Sequence, residues 1–307
     1  MKHFLRIAFA CLISAGSALA SENVATTLGP RELLSVAYPQ AGGDIEGTGI
    51  GTDMIKIPKL DLPNVKWPWF PQPLRQTTSD SNSTTVEITP ISIAQLDDAH
   101  AVMITVALPL DSDGQVQCSS YGCLEAISAH FFVRKKNKWY LSKQFEAAGS
   151  AYPAVEAPHI QPWPGHGFLF SGTESFFAQG AGTDSVVLMG LEPNRVSFFD
   201  EVPIAEEDDS FSVDNDGSPE AVCSDLLDPK HEPKLRSGYM EALDCRHGSG
   251  KWRIEGDAIR IHYEIYQRSA SEDGRLLPLK RIVETVTLKP EGGRLKSISG
   301  TLPQFGF

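Results

Sequence analysis

A mainly β protein built of antiparallel sheets, sandwich-like or divided into two β subdomains, with one short N-terminal helix and long loops, is what this 307-residue chain predicts. Three observations lead there. From about Val86 onward, short runs of alternating or wholly apolar residues are bounded by turn residues, as strands are. Tight turns join neighbouring runs, and sequential hairpins build antiparallel sheets. Helical periodicity is scarce.

Taken in order, residues 1–20, MKHFLRIAFACLISAGSALA, have the layout of a secretory signal peptide. Lys2 and Arg6 form the basic start, Ile7 to Ile13 the apolar run, and Ala18-Leu19-Ala20 a small-x-small cleavage site before Ser21. The run is shorter than the roughly 20 apolar residues that span a bilayer. Cys11 lies inside that run rather than at its end, which argues against a lipid-anchored cysteine. Arg31 to Val36, opened by Gly29-Pro30 and stopped by Pro39, is the best helix candidate. Residues 21–84 are read as this helix followed by a Pro/Gly-rich arm lying over the core.

The main antiparallel β domain is expected over 85–204. Its clearest strands are Ala101 to Leu108, Ile127 to Arg134, Trp139 to Gln144, Gly167 to Phe170, Ser185 to Leu191 and Arg195 to Val202. Turns at Lys135–Lys138 and Glu192–Asn194 close two of its hairpins. Residues 205–250, opening with Glu206, Glu207, Asp208 and Asp209, read as an acidic, disulfide-linked loop insertion. The C-terminal hairpins of 251–307 follow, with strands at Trp252–Ile254, Ile259–Tyr266, Ile282–Leu288 and Leu295–Ser299. A turn at Glu255-Gly256-Asp257 joins the first two. No internal repeat supports a propeller or solenoid.

Composition narrows function. The net charge is −12, and loss of Lys2 and Arg6 with the signal makes it −14. Such a surface repels phosphate backbones and anionic headgroups, so neither nucleic acid nor a membrane surface is an expected partner, and no membrane span follows the signal. Without Cys11, four cysteines remain: Cys118, Cys123, Cys223 and Cys245. In an oxidising compartment an even set reads as disulfides, and proximity pairs Cys118 with Cys123 and Cys223 with Cys245, although three connectivities are open. Cys223, His231, Cys245 and His247 could form a zinc set of two sulfurs and two nitrogens, but their spacing matches no standard finger, so no metal and no cofactor is expected.

Catalytic signatures are absent: no nucleophile elbow, zinc helix, phosphate-binding loop or dinucleotide fingerprint. His130, His159, His166, Asp184 and Asp200 remain candidates for a site assembled in space. Asp111 and Asp113 sit in a turn-like DSDG. Ser212, Asp214, Asp216 and Gly217 imitate a calcium loop but lack an acid at Ser212 and a glutamate at Cys223. The best binding candidates are rigid aromatics in stiff backbone: Trp67, Trp69 and Phe70 in WPWF, and Trp163 and His166 in QPWPGH. Each tryptophan could equally pin an arm to the core.

Ala37–Pro39 (AYP), Ala99–Thr105 (AHAVMIT), the close pair Cys118 and Cys123 followed by HFFVR and Trp139, Gly165–Phe170 (GHGFLF) and Ala178–Gly180 (AQG) form a series. It resembles an uncharacterised group of predicted secreted or periplasmic bacterial proteins with no assigned activity. The resemblance covers roughly residues 31–205 and supplies no catalytic residue; it implies that this span is one unit.

Three functional classes follow. A periplasmic or secreted non-catalytic binding protein, such as an inhibitor or immunity protein acting on another protein of the envelope, fits most of these features. A small glycan is a second kind of partner for the aromatic segments. An envelope hydrolase or carbohydrate-active enzyme with a dispersed site is the alternative. An outer-membrane barrel, raised by the terminal Phe307, is disfavoured by Pro303 and by strands of mixed polarity.

Overall fold

The computed structural model describes residues 24–47, 49–51, 55–63, 83–116, 124–152, 154–178, 181–193, 195–199, 201–208, 212–213, 219–221, 223, 227, 244–269 and 277–303. The signal-like segment 1–20, the aromatic tract at Trp67, Trp69 and Phe70, and Cys118 and Cys123 lie outside them. The fold is mainly β, with two large antiparallel sheets and, near the N-terminus, the short α-helix α1 (Pro30–Ala37).

Pro30 starts α1 after Gly29, and Leu33, Leu34, Val36 and Ala37 bury its apolar side. The Glu32 carboxylate accepts from the Thr26 and Thr27 N–H groups, each at 2.8 Å, which ties the entering chain to the first turn.

Six strands form the first sheet in sequence order: β1 (Glu46–Gly47), β2 (Ile55–Pro63), β3 (Ser83–Gln95), β4 (His100–Pro109), β5 (Glu125–Lys135) and β6 (Lys138–Ala151). Part of the expected arm is therefore a paired strand. Ile55, Ile57, Leu60 and Leu62 are buried, and a register shift between Ile57 and Leu60, where Lys59 has φ 57°, breaks the alternation that would have marked it.

The second sheet holds β7 (Glu156–Pro162), β8 (Phe168–Ala178), β9 (Ala181–Glu192), β10 (Arg195–Phe198), β11 (Val202–Asp208), β14 (Asp244–Glu255), β15 (Ala258–Ser269), β16 (Lys280–Glu291) and β17 (Arg294–Ser299). A separate small ribbon pairs β12 (Ser212–Val213) with β13 (Pro219–Ala221). The flanks of the expected loop insertion are strands: β11 and β14 pair through Ala205↔Ser249, Glu206↔Gly248 and Glu207↔His247. Through that pairing the C-terminal hairpins extend the sheet that begins at β7. Cys223 and Cys245 form a disulfide with Cα atoms 5.2 Å apart, both side chains fully buried.

Side-chain alternation explains how these layers stack. In β4, Ala101, Met103 and Ala107 join the core against α1, while Val102, Ile104 and Val106 join the core shared with the second sheet. A strand buried on both faces reads as an unbroken apolar run, as AVMITVAL does. β9 behaves likewise: Val187, Met189 and Leu191 face the first sheet, and Val186 and Leu188 enter a third core with Ile259, Ile261, Tyr263, Val286 and Leu288. The sheets approach closely where Phe198 lies over Gly149, since a Cβ there would stand 1.9 Å from the ring.

Candidate functional site

A small cleft opens where the second sheet splits. β10 pairs with the far end of β9, whereas β11 pairs with its near end and links it to β14, which pairs with β11 and β15. No ladder partner on the described strands covers the outer edge of β10, and the space beside it is floored by Trp163 and Phe199.

Three turns surround this space: Trp163–Gly167, the β9–β10 turn at Glu192–Arg195, and the β16–β17 turn at Glu291–Gly293. In a flat sheet β16 would lie four strand spacings, about 19 Å, from β9. Both nevertheless line one cavity of about 200 Å³ with His166, Glu192, Arg195, Ser197 and Glu291, so the sheet curls around its own core.

The first turn has a specific backbone requirement. Trp163 N–H donates to the Gly167 carbonyl at 2.8 Å and His166 N–H to the Trp163 carbonyl at 2.9 Å. Gly167 has φ 78°, and a Cβ there would come within 2.7 Å of the Leu191 carbonyl oxygen. This geometry turns the Trp163 ring inward, to 1% exposure, edge-on to Phe199 at 5.8 Å between centroids. Trp163 is therefore a floor and packing residue rather than an exposed stacking platform. His166 sits beside it, ring centroids 4.8 Å apart, at the cleft itself.

Charges of both signs ring the opening. Glu192, Arg195, Glu291 and His166 line it. Asp257 lies within the electrostatic reach of His166, and the Lys289 ammonium bonded to Asp257 at 2.8 Å is the main cause holding that carboxylate below its usual range. Among the described residues, no group of three or more His, Cys, Asp or Glu is placed to hold a metal ion.

Two polar groupings lie elsewhere, one around the candidate His130 and one that sequence reasoning missed. On the α1 side of the first sheet, His130 is fully buried, its Nε2 lying 2.9 Å from Thr105 Oγ1 and 3.2 Å from the Tyr38 hydroxyl. Tyr38 also donates to Glu146 at 3.4 Å, and Ser128 Oγ donates to Glu146 at 3.0 Å. Burial pushes the His130 imidazole down to about 3, so it is neutral, and burial raises the Glu146 carboxyl.

The other grouping surrounds residues 152–155. Tyr152 N–H donates to Glu174 Oε2 at 2.6 Å, and the Ala154 N–H, on a residue with φ 68°, donates to Glu125. Both acids are almost fully buried. Burial lifts Glu125 to about 7; burial, then the neighbouring Glu201 charge, lifts Glu174 to about 8. Tyr38 falls in the AYP segment, but the glutamates belong to no local motif; the one signal for them is an acid beside apolar residues, at the start of β5 for Glu125 and within β8 for Glu174.

The remaining candidates are dispersed. His159 is exposed on β7, Asp184 on β9 accepts from Ser175 Oγ at 2.6 Å, and Asp200 lies outside the described residues. Asp111 forms the expected turn, its Oδ1 accepting from the Asp113 and Gln115 N–H groups at 2.9 Å each. Among the described residues, no helix is long and apolar enough to cross a membrane. Comparison with protein-family models, with curated proteins and with solved structures gives no match.

Proposed function

We propose that this chain is a periplasmic or secreted, non-catalytic binding protein that acts on another protein, in the manner of an inhibitor or immunity protein, with the turn-lined cleft at the centre of its contact surface. The observation that carries this reading is the convergence of three turns from distant parts of the sequence on one concave surface. Loops held by a rigid sheet are where binding residues concentrate. The buried Trp163 fixes the floor, and the mixed charges of Glu192, Arg195 and Glu291, with the polar ring of His166, give a partner a defined orientation. The Cys223–Cys245 disulfide and the signal-like N-terminus favour an oxidising compartment.

Affinity capture from envelope and secreted fractions, run with the intact protein and with the His166→Ala/Arg195→Glu double variant, tests the reading. A stoichiometric protein captured by the first and lost with the second is the expected result. A partner retained equally by both removes the cleft from the contact surface, and no partner for either overturns the reading.

An envelope hydrolase or carbohydrate-active enzyme is the second reading, favoured by Glu125 and Glu174, because carboxyls kept protonated near neutral pH suit general acid catalysis. Both lie inside the protein, so substrate would need a local opening to reach them. Turnover of cell-wall glycan or ester substrates by the wild type, abolished in Glu174→Gln, is the result this reading requires.

A further inference from the structure

The outer face of the β14–β16 hairpins carries a block of basic residues that its register makes unusual. Lys251 stands directly opposite His262, and Arg253 directly opposite Arg260. Like charges placed opposite each other across an antiparallel ladder destabilise it. Here Arg253 and Arg260 do so, with Lys251 two residues away on the same face, in a chain with 39 acidic against 27 basic residues. Strand and residue spacings put the four side chains on a grid of about 5 by 7 Å.

The block is only partly neutralised. Glu255 bonds both arginines, to Arg253 Nε at 2.7 Å and to Arg260 Nη1 at 3.1 Å. Among the described residues Lys251 has no carboxylate at ion-pair distance. His262 Nδ1 lies 3.0 Å from Thr285 Oγ1, which fixes the ring and leaves Nε2 as its other polar atom. Lys251, Trp252, Arg253, Arg260, His262 and Thr285 together line a groove of about 320 Å³. The reverse face of β15 is the third core, so the grid stands on a rigid base.

We propose that this face is a second binding site, distinct from the turn-lined cleft, for an anionic saccharide whose sulfate, phosphate or carboxylate groups seat among Lys251, Arg260 and His262. Guanidinium groups bond such oxyanions through paired N–H donors, and Lys251 adds a mobile point charge. The hydroxyls of Thr285 and of Thr287, which stands opposite Arg260, offer partners for sugar hydroxyls. Charge complementarity also limits the size of the occupant. Glu255 closes the block at one end and Glu264, bonded by Arg281, at the other. A duplex or a lipid surface broad enough to cover the block meets the acidic remainder of the chain, whereas a short saccharide stays within the groove.

The test is calorimetric titration of the disulfide-intact protein with sulfated dextran oligosaccharides and with neutral dextran, at about 50 and about 150 mM salt. Binding of the sulfated form alone is expected, weakening severalfold at the higher salt. Lys251→Gln/Arg260→Gln should weaken it at least about tenfold with the unfolding temperature maintained. Glu255→Gln, which frees both arginines, should tighten it. Absence of binding, or equal binding by the double variant, overturns the proposal. So does equal or tighter binding of single-stranded DNA or of phosphatidylglycerol vesicles, which would make the occupant something other than a saccharide.

Discussion

Glu125 and Glu174 grip the same short link from opposite sheets. Among the described strands, the link between Tyr152 and Val155 is the one crossing between the six-stranded sheet and the larger one, because β1 to β6 belong to the first and every large-sheet strand follows them. Glu174, on β8 of the large sheet, accepts the Tyr152 N–H; Glu125, on β5 of the other, accepts the Ala154 N–H. Among the described residues Glu125 Oε2 is buried without a hydrogen-bond partner, and Glu174 is buried beside the Glu201 carboxylate, so the neutral acid suits each site better than the charged form.

The pH dependence of stability follows from that placement. Both glutamates are raised in the folded protein, from 4.5 to about 7 and about 8, so their contribution is complete below pH 4.5 and is lost as pH rises through 8. His130 has the opposite sign: lowered from 6.5 to about 3, its contribution is present above pH 6.5 and is lost as pH falls toward 3. Together the two glutamates make stability fall on the alkaline side as pH rises through about 7 to 8, and His130 makes it fall on the acid side below about pH 6.5. Glu125→Gln/Glu174→Gln should flatten the alkaline side of the curve and exceed the wild type there. Urea unfolding across a pH series measures both; an unchanged slope in the variant refutes the assignment.

His130 should show no protonation step between about pH 4 and 8, read from its ring proton shift by NMR. Tyr38→Phe removes the hydroxyl shared by His130 and Glu146 and should cost about 1–2 kcal/mol, with the fold retained.

Trp163 and His166 should separate cleanly. Trp163→Ala empties the floor of the third core and is expected to cost about 3–5 kcal/mol. His166→Ala should change stability by less than about 0.5 kcal/mol while weakening partner capture. Thermal unfolding beside a capture assay distinguishes the two roles.

Replacing Cys223 and Cys245 by Ser frees a loop spanning a sequence separation of 22 and should cost about 3 kcal/mol by loop entropy. Denaturant midpoints of the oxidised protein and the double variant provide the measurement.

Most strands were legible because short apolar runs rich in β-branched residues are bounded by turn residues; AVMITVAL at β4 and SVVLMGL at β9 are such runs, and the structure buries them on both faces. β2 was missed because Pro58 and the Lys59 bulge interrupt IKIPKLDL, and the start of β14 because RHGSG is polar and glycine-rich, its strand character supplied by pairing with β11 and β15. At the cleft, WPGHG announced a stiff aromatic turn, and His166 does line it. That Trp163 faces inward depends on Gly167 passing close to the Leu191 carbonyl, a contact between segments remote in sequence. Glu192, Arg195 and Glu291 are ordinary hairpin-tip residues until the sheet curls and brings their turns together.

The single crossing at 152–155 also orders events while the chain is being made. Once Ala151 has emerged, every residue of the core against α1 already exists, and that layer can close on its own material. The reverse of the same sheet cannot close. Val102, Ile104, Ile127 and Phe131 must wait for Phe170, Val187 and Met189. A half-synthesised chain thus carries one finished layer backed by a bare apolar surface, the kind of species that sticks to its own copies. The interval between Ala151 and Leu191 is when this protein most needs to be shielded from its neighbours.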